Sequence, residues 1–353
     1  MPDPIPLCRL VDEAVAAHSI PGAVVSAGMG PSTLFSHAAG QADAIDARPM
    51  TSDTVFDIAS LTKVVATTTA ALALIGSGRL GLDDAVAGYL PETVWPRQVT
   101  IRHLLTHTSG LPASRKFYEW CATRDEVLHA LCQTSLEAPP GTRAAYSDLG
   151  FMALGELITA ATGEPLEAAV GRLVTGPLGM ESTGFNPSGP VERFAATEVY
   201  DGSPWVGIVH DENARMMGGV AGHAGLFSTV TDLACFAQWW VSADDAPVPA
   251  SLRRMATRCQ TVGLPGSEGL PGCRGLGWVC PGDRYDILGN AWPATSVSHT
   301  GFTGTSLALD PVSGLWVVLL TNSVHFGRDA TAIKSLRRAL HATAAVSLPA
   351  GLG

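Results

Sequence analysis

The octapeptide Phe56-Asp57-Ile58-Ala59-Ser60-Leu61-Thr62-Lys63 decides how the rest of the chain is read. It leads into a predicted helix over residues 61–78, which stops at the glycines at 76, 78 and 81. Positions i and i+3 of a helix share a face, so the Ser60 hydroxyl and the Lys63 amine come within hydrogen-bond reach. A serine alcohol is a poor nucleophile without a base beside it. A lysine serves as that base only where burial or nearby charge eases loss of its proton. A serine at a helix N-terminus also has backbone N–H groups and the positive dipole end aimed at a developing oxyanion. Lysine is scarce here, with Lys63, Lys116 and Lys334 the only three in 353 residues.

Two further pieces lie downstream. Tyr146-Ser147-Asp148 precedes the helical pattern LGFMALGELITAAT, with Asp148 as candidate N-cap and Gly163 as the stop. A phenol near an ammonium has a lowered pKa and can shuttle protons to a leaving group. Taken singly, Tyr146 suits a core or rim position equally well. His299-Thr300-Gly301 runs into Phe302-Thr303-Gly304-Thr305-Ser306. Its glycines admit close approach of backbone to a ligand, and the following strand could offer edge N–H groups to a substrate carbonyl; a turn before a strand explains the same glycines.

Helical spacing marks residues 5–18, 101–105, 126–134, 232–241 and 330–345. Short apolar runs at 23–27, 34–39, 276–280, 306–310 and 315–321 read as strands, and 186–210 as loop. Strands at both ends with helices between them imply an α+β fold, an antiparallel sheet flanked by helices plus an inserted all-helical domain. Residues 1–62 and 205–353 form the expected α/β domain and 63–204 the mainly helical one, with the active site in the cleft between them.

Composition narrows the partners. Hydrophobic residues at 46% and charged residues at 15% describe a globular chain with a large core. A net charge of −10 disfavours nucleic acid and anionic membranes. The apolar run Val64–Gly78 is broken by three threonines and falls short of a bilayer span, so no membrane insertion is expected. The segment MPDPIPLCRL lacks the basic and apolar regions of a secretory signal, which points to a cytoplasmic protein; an exported form with its leader removed stays open. Seven cysteines without a C-x-x-C pair read as reduced, buried thiols.

Ser-x-x-Lys, then Tyr-Ser-Asp, then His-Thr-Gly near the C-terminus resembles the ordered signature of serine β-lactamases and penicillin-binding proteins. The class C β-lactamase-like group and its family VIII esterase relatives are the most similar branch. The stretches FDIASLTK, IRHLLTHTSGLP, GPLGMESTGF, GGVAGHAGLFSTVTDL and SHTGFTGTSLALDP resemble that group too. The resemblance implies the β-lactamase/transpeptidase-like fold, acylation of Ser60, proton transfer by Lys63, and assistance from Tyr146 toward the leaving group. It implies an oxyanion hole from the Ser60 and Phe302 N–H groups, and substrate contact by Asp148, His299, Thr300 and Gly301, with no cofactor or metal.

Two departures bear on the substrate. Penicillin-recognising members have Lys-Thr-Gly where this chain has His299, and class C enzymes have Asn where it has Asp148. Histidine is mostly neutral at pH 7, so both changes disfavour an anionic ligand. The expected function is a carboxylesterase or amidase acting on small esters or amides. Alternatives are a β-lactamase, a D-amino-acid or DD-peptidase, a muropeptide amidase, an acyltransferase, or a non-catalytic sensor with the same fold. The partner is a small ester, amide or lactam, and the sequence does not set the oligomeric state. His210, Asp211 and His223 are placed at the cleft rim, whereas His103 and His107, spaced i, i+4 without the glutamate of H-E-x-x-H, are given structural roles rather than zinc.

Overall fold

The computed structural model describes residues 3–348. At its centre lies a six-stranded antiparallel sheet in which distant parts of the chain meet. Gly22–Met29 pairs with Ser32–Asp43 on one side and with Leu315–Thr321 on the other. Ser306–Leu309 and then Val297–Thr300 extend the sheet beyond Leu315–Thr321, and the two-residue strand Arg48–Pro49 closes the opposite edge.

The run LWVVLLT of Leu315–Thr321 is buried at every position, as a strand covered on both faces must be. Side chains alternate across a strand. Leu315, Val317 and Leu319 therefore join a core shared with Leu7 and Val11 of helix Ile5–Ala16 and with Ile333, Leu336 and Leu340 of helix Thr331–Ser347. Trp316, Val318 and Leu320 face the larger core, which takes in helix Val230–Val241 and the helices of the middle of the chain. The result is the expected α+β arrangement, and most elements lie within a few residues of their expected bounds.

Four expectations are corrected. Residues 276–280 form no regular strand; Val279 only bridges Ser298 and Arg274, and Gly277 turns the chain at φ +77°. The stretch 186–210 contains the hairpin Ala196–Tyr200 and Ser203–Val206, so the boundary drawn at 204/205 falls inside a strand. The strand Ser306–Leu309 is paired on both sides and offers no free edge; the edge strand is Val297–Thr300. Finally, Ser147 and not Asp148 caps helix Asp148–Thr162, its hydroxyl accepting from the Gly150 N–H at 3.1 Å.

The helical run carrying the octapeptide begins as a 3-10 turn at Ala59–Leu61. It widens into a π-helical stretch over Lys63–Thr68 and continues as the α-helix Thr69–Gly76. π-helical segments are uncommon and concentrate at functional sites. The Thr69 hydroxyl donates to the Val64 carbonyl at 2.8 Å and Thr67 to the Gly222 carbonyl at 2.6 Å, which gives two of the three threonines a partner in this buried run. Ala59–Gly76 has the length and apolarity of a membrane span, yet 83% of it is buried inside the fold. All seven cysteines are free, two of them buried and five half-buried.

Candidate active site

Ser60 owes its position to a short, strained approach. The buried Asp57 carboxylate accepts the Ala59 N–H at 2.8 Å and the His210 N–H at 2.7 Å. This holds Ala59 at φ +48°, a left-handed conformation that a non-glycine residue adopts only under constraint. Burial pushes the Asp57 carboxyl pKa up, against the two N–H groups that favour its charge. An aspartate bonding the N–H two residues on is an Asx turn, so Asp57 was legible in the octapeptide, although its role was not assigned from sequence.

Lys63 is fully buried and all of its ammonium donors face acceptors. Its Nζ lies 2.9 Å from Ser60 Oγ, 2.9 Å from the His223 carbonyl and 2.8 Å from Asp148 Oδ1. Burial works to lower its pKa, but Asp148 and then Tyr146 outweigh it, so Lys63 holds its proton more tightly than a free lysine does. The His223 carbonyl reaches Lys63 because backbone meets backbone at Gly222. A Cβ there would stand 2.1 Å from the Phe151 carbonyl, and one on Gly155 would stand 2.9 Å from Gly222. Asp148, expected as cap and substrate contact, is the anion of this lysine, and it also lines the cleft.

Tyr146 projects from the loop before helix Asp148–Thr162, its ring centroid 5.0 Å from Lys63 Nζ and 4.7 Å from the His107 ring. Lys63 and Ser60 favour its ionised form, but burial outweighs them and keeps the phenol pKa above its ordinary value, so the resting group is a neutral phenol. His107, at φ +57°, accepts the Ser147 N–H on Nδ1 at 3.0 Å, and His103 completes a capping box with Thr100. Both histidines of the i, i+4 pair therefore have structural partners. Among the described residues no group of three or more His, Cys, Asp or Glu side chains is placed to hold a metal.

His299 is buried, and its Nδ1 lies 3.0 Å from the Thr300 carbonyl, so the proton sits on Nδ1 and Nε2 is left as an unpartnered acceptor. Burial first, and then the charges of Lys63 and Arg274, pull its pKa well below the ordinary histidine value. Beyond it the 301–305 loop is clamped to the strand that precedes the nucleophile. Thr303 Oγ1 donates to the Asp57 carbonyl at 2.8 Å and Thr305 Oγ1 to the Ile58 carbonyl at 3.0 Å. A Cβ on Gly301 would sit 2.1 Å from Thr305 Oγ1, so the glycine is required for this approach. Phe302 is exposed, its ring stacked 5.5 Å from His210 with the Arg328 guanidinium 5.9 Å away.

Ser60, Tyr146, Asp148, His299, Thr300, Gly301 and Phe302 thus line one cleft of about 550 Å³. Of the expected rim residues, His210 and Asp211 line it, whereas His223 contributes its carbonyl from behind Lys63. His223 Nε2 meets Asp211 Oδ1 at 2.9 Å, and Asp211 also caps helix Glu212–Met216. Burial opposes the Asp211 charge, but His223 and the Ala214 N–H hold its carboxyl well below the usual carboxylate range.

His299 and Asp148 were expected to disfavour an anionic ligand, yet the cleft also holds cationic side chains. Arg274, Arg328, Lys334 and Arg337 line it, and the sequence reading assigned them no role. Arg274 pairs with the buried Asp283 at 2.9 Å between the rings of Tyr146 and Tyr285. No motif flags these residues, because they arrive from segments remote in sequence.

A family model described as beta-lactamase matches residues 7–342. The chain belongs to the beta-lactamase family. A putative D-alanyl-D-alanine carboxypeptidase of Escherichia coli K12 is 30% identical over 310 residues, covering 78% of this chain and 70% of that protein. Among solved structures, EstCE1, a hydrolase with promiscuous acyltransferase activity, superposes with a TM-score of 0.76 at 23% identity, over 96% of this chain and 98% of that one. A class C beta lactamase from Rhodobacter sphaeroides does so at 0.74 and 20% identity, over 97% and 99%. The beta-lactamase family is one of serine hydrolases, and its β-lactamase/transpeptidase-like fold is the one expected from the motifs.

Proposed function

We propose that the protein is a serine hydrolase that forms an acyl-enzyme on Ser60, with small carboxylic esters or amides as substrates. The observation that carries this reading is the 2.9 Å contact between Lys63 Nζ and Ser60 Oγ at the foot of an open cleft, with the Tyr146 ring 5.0 Å from the same Nζ. Once the Lys63 ammonium has released a proton, its amine accepts the Ser60 hydroxyl proton as Oγ attacks the carbonyl carbon. The proton then passes through Tyr146 to the leaving oxygen or nitrogen, and the C–O or C–N bond breaks. The Ser60 and Phe302 N–H groups take the oxyanion. Water completes the cycle by the reverse proton path, releasing the acid and restoring Ser60.

The neutral His299 supports a substrate whose acyl side needs no fixed countercharge at that position. A second reading is favoured by Lys334 in the cleft lining, a cation that suits an amide substrate ending in a carboxylate, the class named for the Escherichia coli relative; Arg274 and Arg328 are held by Asp283 and by Glu198 and Glu212. One panel separates the two. Wild type and Ser60→Ala are incubated with p-nitrophenyl esters, a chromogenic cephalosporin and D-alanyl-D-alanine peptides, and the intact mass is followed. The first reading expects ester turnover with an acyl mass on Ser60 that the alanine variant lacks; preferential cleavage of the peptides selects the second. Failure of every acyl donor and of a fluorophosphonate to label Ser60 overturns both.

A further inference from the structure

Arg337 sits in the C-terminal helix Thr331–Ser347 with 7% of its surface exposed. Among the described residues it has no carboxylate partner. A buried guanidinium normally finds an anion, but this one is met by backbone carbonyls alone. Nη2 donates to the Gly301 carbonyl at 2.6 Å and to the Thr305 carbonyl at 2.7 Å, and Nε donates to the Gly304 carbonyl at 3.2 Å. Burial lowers its pKa to about 9, which leaves it a cation at neutral pH. A cation has been taken out of water to hold one loop.

The identity of the first acceptor matters. The Gly301 carbonyl and the Phe302 N–H belong to the same peptide unit, and hydrogen bonds polarise one another along a chain. A charged donor on the carbonyl oxygen draws electron density from the nitrogen and makes the N–H a stronger donor. The Gly304 N–H bonds the same oxygen at 3.1 Å. The other peptide of interest is built alike: the Ala59 carbonyl, which shares a peptide with the Ser60 N–H, accepts the Thr62 hydroxyl at 2.6 Å and the Thr62 N–H. Each of the two N–H groups has its carbonyl end loaded.

We propose that Arg337 is a positioning residue for the oxyanion hole, fixing the 301–305 loop and polarising the Gly301–Phe302 peptide so that the Phe302 N–H binds the developing oxyanion more strongly. This rests on the acyl-enzyme reading above. Loss of a whole oxyanion donor costs about two to three orders of magnitude in turnover, so weakening one is set at roughly tenfold in kcat with KM little changed.

The test reads the carbonyl directly. A slowly deacylating ester with a ¹³C-labelled carbonyl is loaded onto wild type, Arg337→Lys and Arg337→Met, and the acyl C=O stretch is recorded by infrared difference spectroscopy alongside kcat and KM. The expected result is a stretch displaced to higher wavenumber in Arg337→Met and by less in Arg337→Lys, with kcat falling in the same order. A fold that is merely loosened lowers the melting temperature but leaves the stretch where it was. Should Arg337→Met fail to fold, the lysine variant decides alone. An acyl-enzyme whose stretch ignores both substitutions overturns the proposal while leaving the acyl-enzyme reading standing. No acyl adduct on wild-type Ser60 overturns that reading and this proposal with it.

Discussion

Replacing Asp148 by asparagine removes the anion 2.8 Å from Lys63 Nζ while keeping the side chain's shape. Coulomb attraction at that separation is about 1.5 kcal/mol at a water-like dielectric of about 80 and about 6 kcal/mol at about 20. The larger attraction applies if the cleft around Asp148, whose side chain is 25% exposed, behaves as protein interior. Without that anion the Lys63 pKa falls, because burial then works against its charge with less to oppose it. Since the free amine is the proposed base, the rising alkaline limb of acylation moves toward neutral pH. The assay is the pH dependence of the acylation burst with a p-nitrophenyl ester in wild type, Asp148→Asn and Asp148→Glu. Stability gives a second readout. Lys63 has a raised folded pKa, so its stabilisation is complete below the ordinary lysine value and is lost as pH climbs through the folded one. Asp148→Asn therefore unfolds at lower urea than wild type at pH 7, and the gap narrows at strongly alkaline pH. A limb that stays where the wild type has it refutes the assignment of Lys63 as the titrating base.

Three other perturbations have clear outcomes. Gly301→Ala drives a Cβ against Thr305 Oγ1 and the Ile58 carbonyl, and is expected to cut acylation at least a hundredfold, in line with loss of an oxyanion donor, with circular dichroism unchanged. Burial, with Arg337 adding to it, holds the His341 pKa down at about 3; the unfolded chain binds a proton there from about pH 6.5 downward, so stability declines between those values by up to about 1.4 kcal/mol per pH unit. Urea midpoints at pH 7, 6 and 5 check this, and His341→Asn is expected to flatten the slope. Ser147→Ala removes both the cap on Gly150 and a 2.6 Å bond to the Pro112 carbonyl, and should lower stability by about 1–2 kcal/mol, read by thermal melting.

The sequence exposed those parts of the molecule whose physics is local. Helical spacing, the Ser-x-x-Lys pair and the continuous apolar run LWVVLLT each depend on neighbours a few residues apart, and each appears in the structure within a few residues of where the sequence puts it. The N-cap was misassigned by one residue because serine and aspartate both cap well, and only the pull of Lys63 on Asp148 distinguishes them. The hairpin Ala196–Val206 leaves no signal because its strands are short and only partly buried, so no buried face imposes a period of two. Arg274 and Arg337 could not be found at all. Their meaning depends on whether a carboxylate waits nearby, and for one it does while for the other it does not.

The clamp between Thr303, Thr305 and the residues before Ser60 has a consequence in time. Its two hydrogen bonds join positions 246 and 247 residues apart. At synthesis rates of about 5–20 residues per second, on the order of ten to fifty seconds pass between the emergence of Ser60 and that of the loop that is to face it. Throughout that interval the serine has its lysine neighbour in sequence but no oxyanion pocket. On the acyl-enzyme reading proposed above, a nascent chain lacks the Phe302 N–H donor until that loop emerges, so chemical competence arrives late. The same separation places the closing of the site among the non-local contacts that slow folding, so a brake on maturation and a safeguard against premature chemistry are one piece of geometry.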